Sequence, residues 1–155
     1  TTKKRLNEIE DLVEKTKKEG AKVLLGGKKP SGFNKGFYYE PTIFDDVKDE
    51  FTIMKEEPFG PLCPMLSFKT FDEVIERANN HELGLASYIC TNSMELATKA
   101  SEQIETGAVA VNTPLVAQAE APFGGIKQTG DGREGGSMAI KDYLNIKYTH
   151  LGIKG

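Results

Sequence analysis

From Leu62 to Val111, apolar runs of strand length alternate with stretches whose apolar residues recur at helical spacing, and the connections are short. A strand, a helix and a second strand joined this way cross over right-handed and parallel. Repetition of the unit predicts a three-layer α/β lobe: a parallel sheet with helices on both faces. The first strand is expected over 62–68. Thr70-Phe71-Asp72-Glu73 then has the spacing of a capping box, and the helix it opens carries Phe71, Val74, Ile75 and Ala78 on one face. A buried strand over 85–91 leads to a helix capped by Asn92 or Ser93, with Met94, Ala97, Ser101 and Ile104 as its inward stripe. Ala108–Val111 is the third strand. Ligands in such sheets sit beyond the carboxyl ends of the strands, the position of Asn112 and the loop after it.

Upstream, Leu6, Ile9, Leu12 and Val13 place a helix over 8–18 that Gly20 stops. A strand over 21–25 follows. Phe37, Tyr38 and Tyr39 favour an extended edge or connecting strand over 36–44. Within 155 residues this is one domain or one lobe of something larger. The net charge of -3 and 28% charged residues offer no basic face for nucleic acid or an anionic membrane. No apolar run spans a bilayer and the first residues are charged, so a cytoplasmic chain is expected.

Glu56-Glu57-Pro58-Phe59-Gly60-Pro61 lies between a short amphipathic stretch and an apolar strand. Its carboxylates suit hydrogen bonds from sugar hydroxyls, and the prolines stiffen the turn that presents the ring. The competing expectation is a plain solvated turn. Cys63 and Cys90 lie in apolar runs, lack metal or redox spacing, and are expected as reduced, buried thiols. His81 and His150 are expected in capping or surface roles. No metal site is expected.

The loop over 113–128 is long for an α/β connection, and loops of that kind are usually functional or disordered. It runs into Gly130-Asp131-Gly132-Arg133-Glu134-Gly135, which matches the dinucleotide pattern by letter. No strand precedes that run and no acid follows about 20 positions on, so it is read as a structural turn. Arg133 and Glu134 are expected to make ion pairs or backbone hydrogen bonds there.

Glu56-Glu57-Pro58-Phe59-Gly60-Pro61, Val111-Asn112 and the run from Pro122-Phe123-Gly124-Gly125 to Arg133-Glu134 closely resemble the carboxyl-terminal part of the NAD(P)-dependent aldehyde dehydrogenase superfamily. Gly20 to Gly27, Tyr39-Glu40-Pro41-Thr42 and Gly84-Leu85-Ala86 look like further family segments, in family order. The closing segment, Lys141 to Tyr148, is most similar to the succinate-semialdehyde branch. The resemblance implies residues 1–143 as mostly a catalytic-domain lobe, and 144–155 as an oligomerisation strand and tail that would join copies of the chain. It implies NAD or NADP as cofactor, Glu57 on the ribose beside the nicotinamide, and Phe59 against the nicotinamide end. Phe123 would line the aldehyde tunnel. Gln118 lies in the preceding loop, where relatives vary with substrate. The nucleophilic cysteine, the deacylating glutamate and the nucleotide domain are expected upstream, so the chain alone is expected to be inactive. The alternative is a stand-alone binding or assembly module without enzyme activity.

Overall fold

The computed structural model describes residues 2–153. Thr2 caps α1 (Lys3–Lys18) by accepting the Arg5 N–H at 3.1 Å. Ile9, Val13 and Thr16, at helical spacing, are its buried face. Next come β1 (Lys22–Leu25), β2 (Thr42–Asp45), α2 (Thr52–Lys55) and β3 (Leu62–Pro64). They are followed by α3 (Phe71–Asn79), β4 (Leu83–Gly84), β5 (Ala86–Ile89), α4 (Met94–Gln103), β6 (Ala108–Val111) and β7 (Ile126–Lys127). A 3₁₀ turn, Ala139–Tyr143, closes the regular structure. The chain divides into two compact units, one ending at Thr70 and the other beginning at Phe71.

In the first unit, β1, β2 and β3 form one sheet, with β1–β2 antiparallel and β2–β3 parallel. Its core joins Ile9 and Val13 of α1 to Ala21, Phe44, Val47, Phe51 and Ile53. Phe44 is fully buried because alternate positions of β2 face inward. In the second unit β5 and β6 pair parallel across α4, and β4 and β7 pair antiparallel. The expected strand-helix-strand crossover is therefore present at β5-α4-β6. Ser93 caps α4, accepting the Leu96 N–H at 3.2 Å.

Several expectations are corrected. The described strands form no single parallel sheet but one three-stranded mixed sheet and two two-stranded ones. The strand expected over 62–68 ends at Pro64, which lacks a ladder donor. Only Thr42 onward of the 36–44 segment pairs, because Pro41 interrupts the donors just before it. Met94, 80% exposed, and Ser101, also exposed, fall outside the inward stripe of α4, which holds Ala97 as expected and Ala100 in addition. Ala78 is exposed, leaving Ile75 as the buried position of α3. The strand over 85–91 is shorter and not fully buried, with Tyr88 58% exposed. Both Cys63 and Cys90 are exposed, since each falls on the outward phase of its run. Residues 144–153 form no strand: a ladder needs a partner, and this exposed segment has none within the described chain.

Candidate functional site

In the first unit the candidate turn is built from α2 outward. Four residues rarely make a stable helix alone. Glu19, the residue after α1, supplies what α2 lacks. Its Oε2 accepts the Thr52 N–H at 3.0 Å and its Oε1 accepts the Thr52 hydroxyl at 2.7 Å. The Thr52 hydroxyl holds the Glu19 carboxyl below its ordinary pKa, aided by the Thr52 N–H, Lys15 and Lys55 against a desolvation cost. α2 ends at Lys55, and Glu56 turns extended.

Beyond it the backbone folds on itself. The Gly60 N–H donates to the Pro58 carbonyl at 2.7 Å, the Leu62 N–H to Gly60 at 2.8 Å, and the Thr42 N–H to Pro61 at 2.8 Å. The turn is thus tied to β2 at its far end and to α1 at its near end. It displays Glu57, exposed and without a hydrogen-bond or ion-pair partner among the described residues, and Phe59, whose residue is 68% exposed. A free acceptor pair and an open ring fit a ribose and a flat heteroaromatic ring. The Arg5 guanidinium lies over the Phe59 ring, 5.9 Å from its centroid. Arg5, Leu6, Ile9, Tyr39, Phe59 and Gly60 help line a cleft here. Burial, with Glu10, Glu14 and Glu40 nearby, pushes the Tyr39 phenol up to about 12.

In the second unit a cleft lies at the carboxyl end of β6, lined by Thr91, Asn92, Ser93, Met94, Val111 and Asn112. Asn112, at φ +54°, donates its Nδ2 to the Thr91 carbonyl at 2.8 Å and accepts the Thr91 N–H on Oδ1 at 3.0 Å. Its amide braces the chain just beyond β5. The long loop is likewise tied. Phe123 and Glu134 exchange two backbone hydrogen bonds of 2.7 Å, and the Gly136 N–H donates to the Ala119 carbonyl at 2.8 Å. Gly135, at φ +70°, packs where a side chain would press on the Ala121 carbonyl. Phe123 is half-buried, while Gln118 and Glu120 are exposed.

The dinucleotide-like run is a braced turn. The Arg133 guanidinium donates to the carbonyls of Gly125, Asp131 and Gly132 at 2.8–3.0 Å, and its N–H donates to Asp142 Oδ2 at 2.8 Å. Both Arg133 and Glu134 make the backbone bonds expected of them. His81 accepts the Leu83 N–H on Nδ1 at 3.0 Å, a capping role, and His150 is exposed. No group of three or more metal-ligating side chains occurs among the described residues, and no helix there is long and apolar enough to cross a membrane.

Glu57 and Phe59 thus share one turn, and Gln118 and Phe123 share one loop. Reasoning from sequence missed Arg5 and Glu19, whose partners lie far along the chain. The carboxylate directly after a Lys-rich helix end was the available signal for Glu19.

Residues 1–149 match the aldehyde dehydrogenase family. This chain belongs to that family. It is 43% identical over 148 residues to a mitochondrial succinate-semialdehyde dehydrogenase of Arabidopsis thaliana, covering 95% of the chain and 28% of that relative. Retinal dehydrogenase 2 of Homo sapiens is also 43% identical, over 145 residues, covering 94% of the chain and 28% of its own length. The solved NAD+ complex of an aldehyde dehydrogenase from Bacillus cereus superposes with a TM-score of 0.93 at 41% identity, covering 99% of this chain and 31% of that one. The α/β fold is therefore the aldehyde dehydrogenase fold. The chain spans less than a third of the length of these relatives.

Proposed function

We propose that this stretch forms cofactor- and substrate-facing walls of an NAD(P)-dependent dehydrogenase that oxidises an aldehyde to a carboxylic acid. The observation that carries the reading is the unpartnered carboxylate of Glu57, two residues before the open ring of Phe59, on a turn tied at both ends. NAD or NADP, when bound, supplies the hydride acceptor. Glu57 accepts hydrogen bonds from the ribose hydroxyls, and Phe59 limits where the nicotinamide ring can lie. Hydride transfer depends steeply on such placement. Phe123 offers an apolar tunnel wall, and Gln118 an amide near the tunnel mouth.

Motif order in the sequence argues for the carboxyl-terminal part of the parent enzyme. Flanking coding sequence tests this: a cysteine-nucleophile motif upstream supports it, and one downstream overturns it. The resemblance of the closing segment favours a semialdehyde substrate, although the equal identities to succinate-semialdehyde and retinal dehydrogenases do not separate those classes. Residues 144–153 are read as pairing with a second copy, supported by their exposure and lack of an internal ladder partner. A cytoplasmic location belongs to the same reading, and cell fractionation of the parent tests it.

The chain alone is read as inactive. Purified and mixed with succinate semialdehyde and NAD+ or NADP+, it should produce no reduced nicotinamide above a blank, and turnover would overturn this. In the full-length enzyme, Glu57→Gln is expected to raise the KM for the cofactor about tenfold, the scale of a hydrogen bond to a charged acceptor. An unchanged KM would remove Glu57 from the site.

A further inference from the structure

We infer that Arg5 is a positioning residue for Phe59, an inference that rests on the role proposed for that ring. Within this stretch Phe59 is 68% exposed, so packing against the stretch's own residues does not determine its orientation. The guanidinium of Arg5 lies 5.9 Å from the ring centroid, within the range of a cation–π contact. The guanidinium is itself held. Its Nη1 pairs with Glu8 Oε2 at 2.8 Å, one turn along α1, and the Arg5 backbone is fastened to the helix cap at Thr2. Next to Glu8 and likewise one turn from Arg5, Ile9 packs directly beneath Gly60, the residue after the ring. α1 therefore supports the turn from below through Ile9 and orients its aromatic side chain through Arg5.

The competing role for Arg5 is a solvated charge paired only with Glu8, and exposed pairs of that kind contribute little. The two roles differ in whether they depend on Phe59. Arg5 touches neither substrate nor reacting atoms in this account. Its effect passes through the ring to the affinity for the cofactor.

The test is a double-mutant cycle in the full-length dehydrogenase carrying this stretch. The dissociation constant of whichever nicotinamide dinucleotide the wild type binds more tightly is measured by titration calorimetry. Arg5→Met, which keeps the aliphatic stem, is expected to weaken binding about two- to fivefold, while Arg5→Lys retains most of the affinity. Phe59→Leu is expected to weaken binding as well, and adding Arg5→Met to it should weaken it no further. Thermal unfolding of each variant verifies that it is folded. Unchanged affinity in Arg5→Met, or an effect that adds in full to that of Phe59→Leu, overturns the inference while leaving the role of Phe59 intact. Unchanged affinity in Phe59→Leu overturns the role of the ring, and the inference with it.

Discussion

At Gly60 the turn carrying Glu57 and Phe59 passes so close over α1 that a β-carbon would overlap Ile9 Cδ1. Gly60→Ala is expected to cost about 1–3 kcal/mol through that overlap, measured by denaturant unfolding. A cost near zero would mean that Ile9 yields and the turn is loosely held. Glu19 acts from the other end. Because its carboxyl titrates lower when folded, its contribution is present above its ordinary pKa of 4.5 and is lost as pH falls through the lower folded value. Glu19→Ala is expected to unfold more readily than the wild type at neutral pH, with the gap closing in strong acid. Equal stability at neutral pH would sink the anchoring role. The turn that bears Glu57 and Phe59 was legible because its prolines and glycine sit in six consecutive residues. Arg5 was not, because nothing near it in sequence names an aromatic partner.

Among elements, β5-α4-β6 was the most readable, since its periodicity, its Ser93 cap and its apolar strands are all local. The phase of α4 was misread at Met94, its first residue, which is 80% exposed while Ala97 and Ala100 are buried. The end of α3 was opaque for a different reason. Lys127, at φ +57° in β7, donates from Nζ to the carbonyls of Asn79 at 2.8 Å and His81 at 3.2 Å, and pairs with Glu105. Asn79 in turn donates to the Gln103 carbonyl and accepts the Glu105 N–H, both at 2.8 Å. A cation at a helix carboxyl terminus, joined to the segments that follow α3 and α4, is a long-range arrangement that no spacing rule reports. Lys127→Met is expected to lower stability by about 1–3 kcal/mol, read from the midpoint of urea unfolding. A change below experimental error would show that water replaces the ammonium without cost.

For the whole molecule, the exposed apolar side chains bear on how the chain behaves in solution. Leu24 and Leu25 in the first unit, and Leu115, Ile140, Ile146 and Leu151 in the second, are all more than half exposed. Surfaces of this kind mark contacts with other protein. Light scattering coupled to size exclusion is expected to find the isolated chain self-associating. A monodisperse monomer would favour the independent module over a stretch of a larger enzyme.

The sequence by itself determined the family, the α/β class, the helices α1, α3 and α4, the β5-α4-β6 crossover and the turn that bears Glu57 and Phe59. Each of these is written in short-range periodicity or in a compact motif. Tertiary structure alone decided which strands pair, that Cys63 and Cys90 face outward, that Asn112 braces the chain just beyond β5, and that α1 carries the candidate turn through Arg5, Ile9 and Glu19. Those outcomes depend on contacts between residues far apart in the chain. Hydrogen-bond satisfaction and steric fit select such partners only once the backbone brings them together.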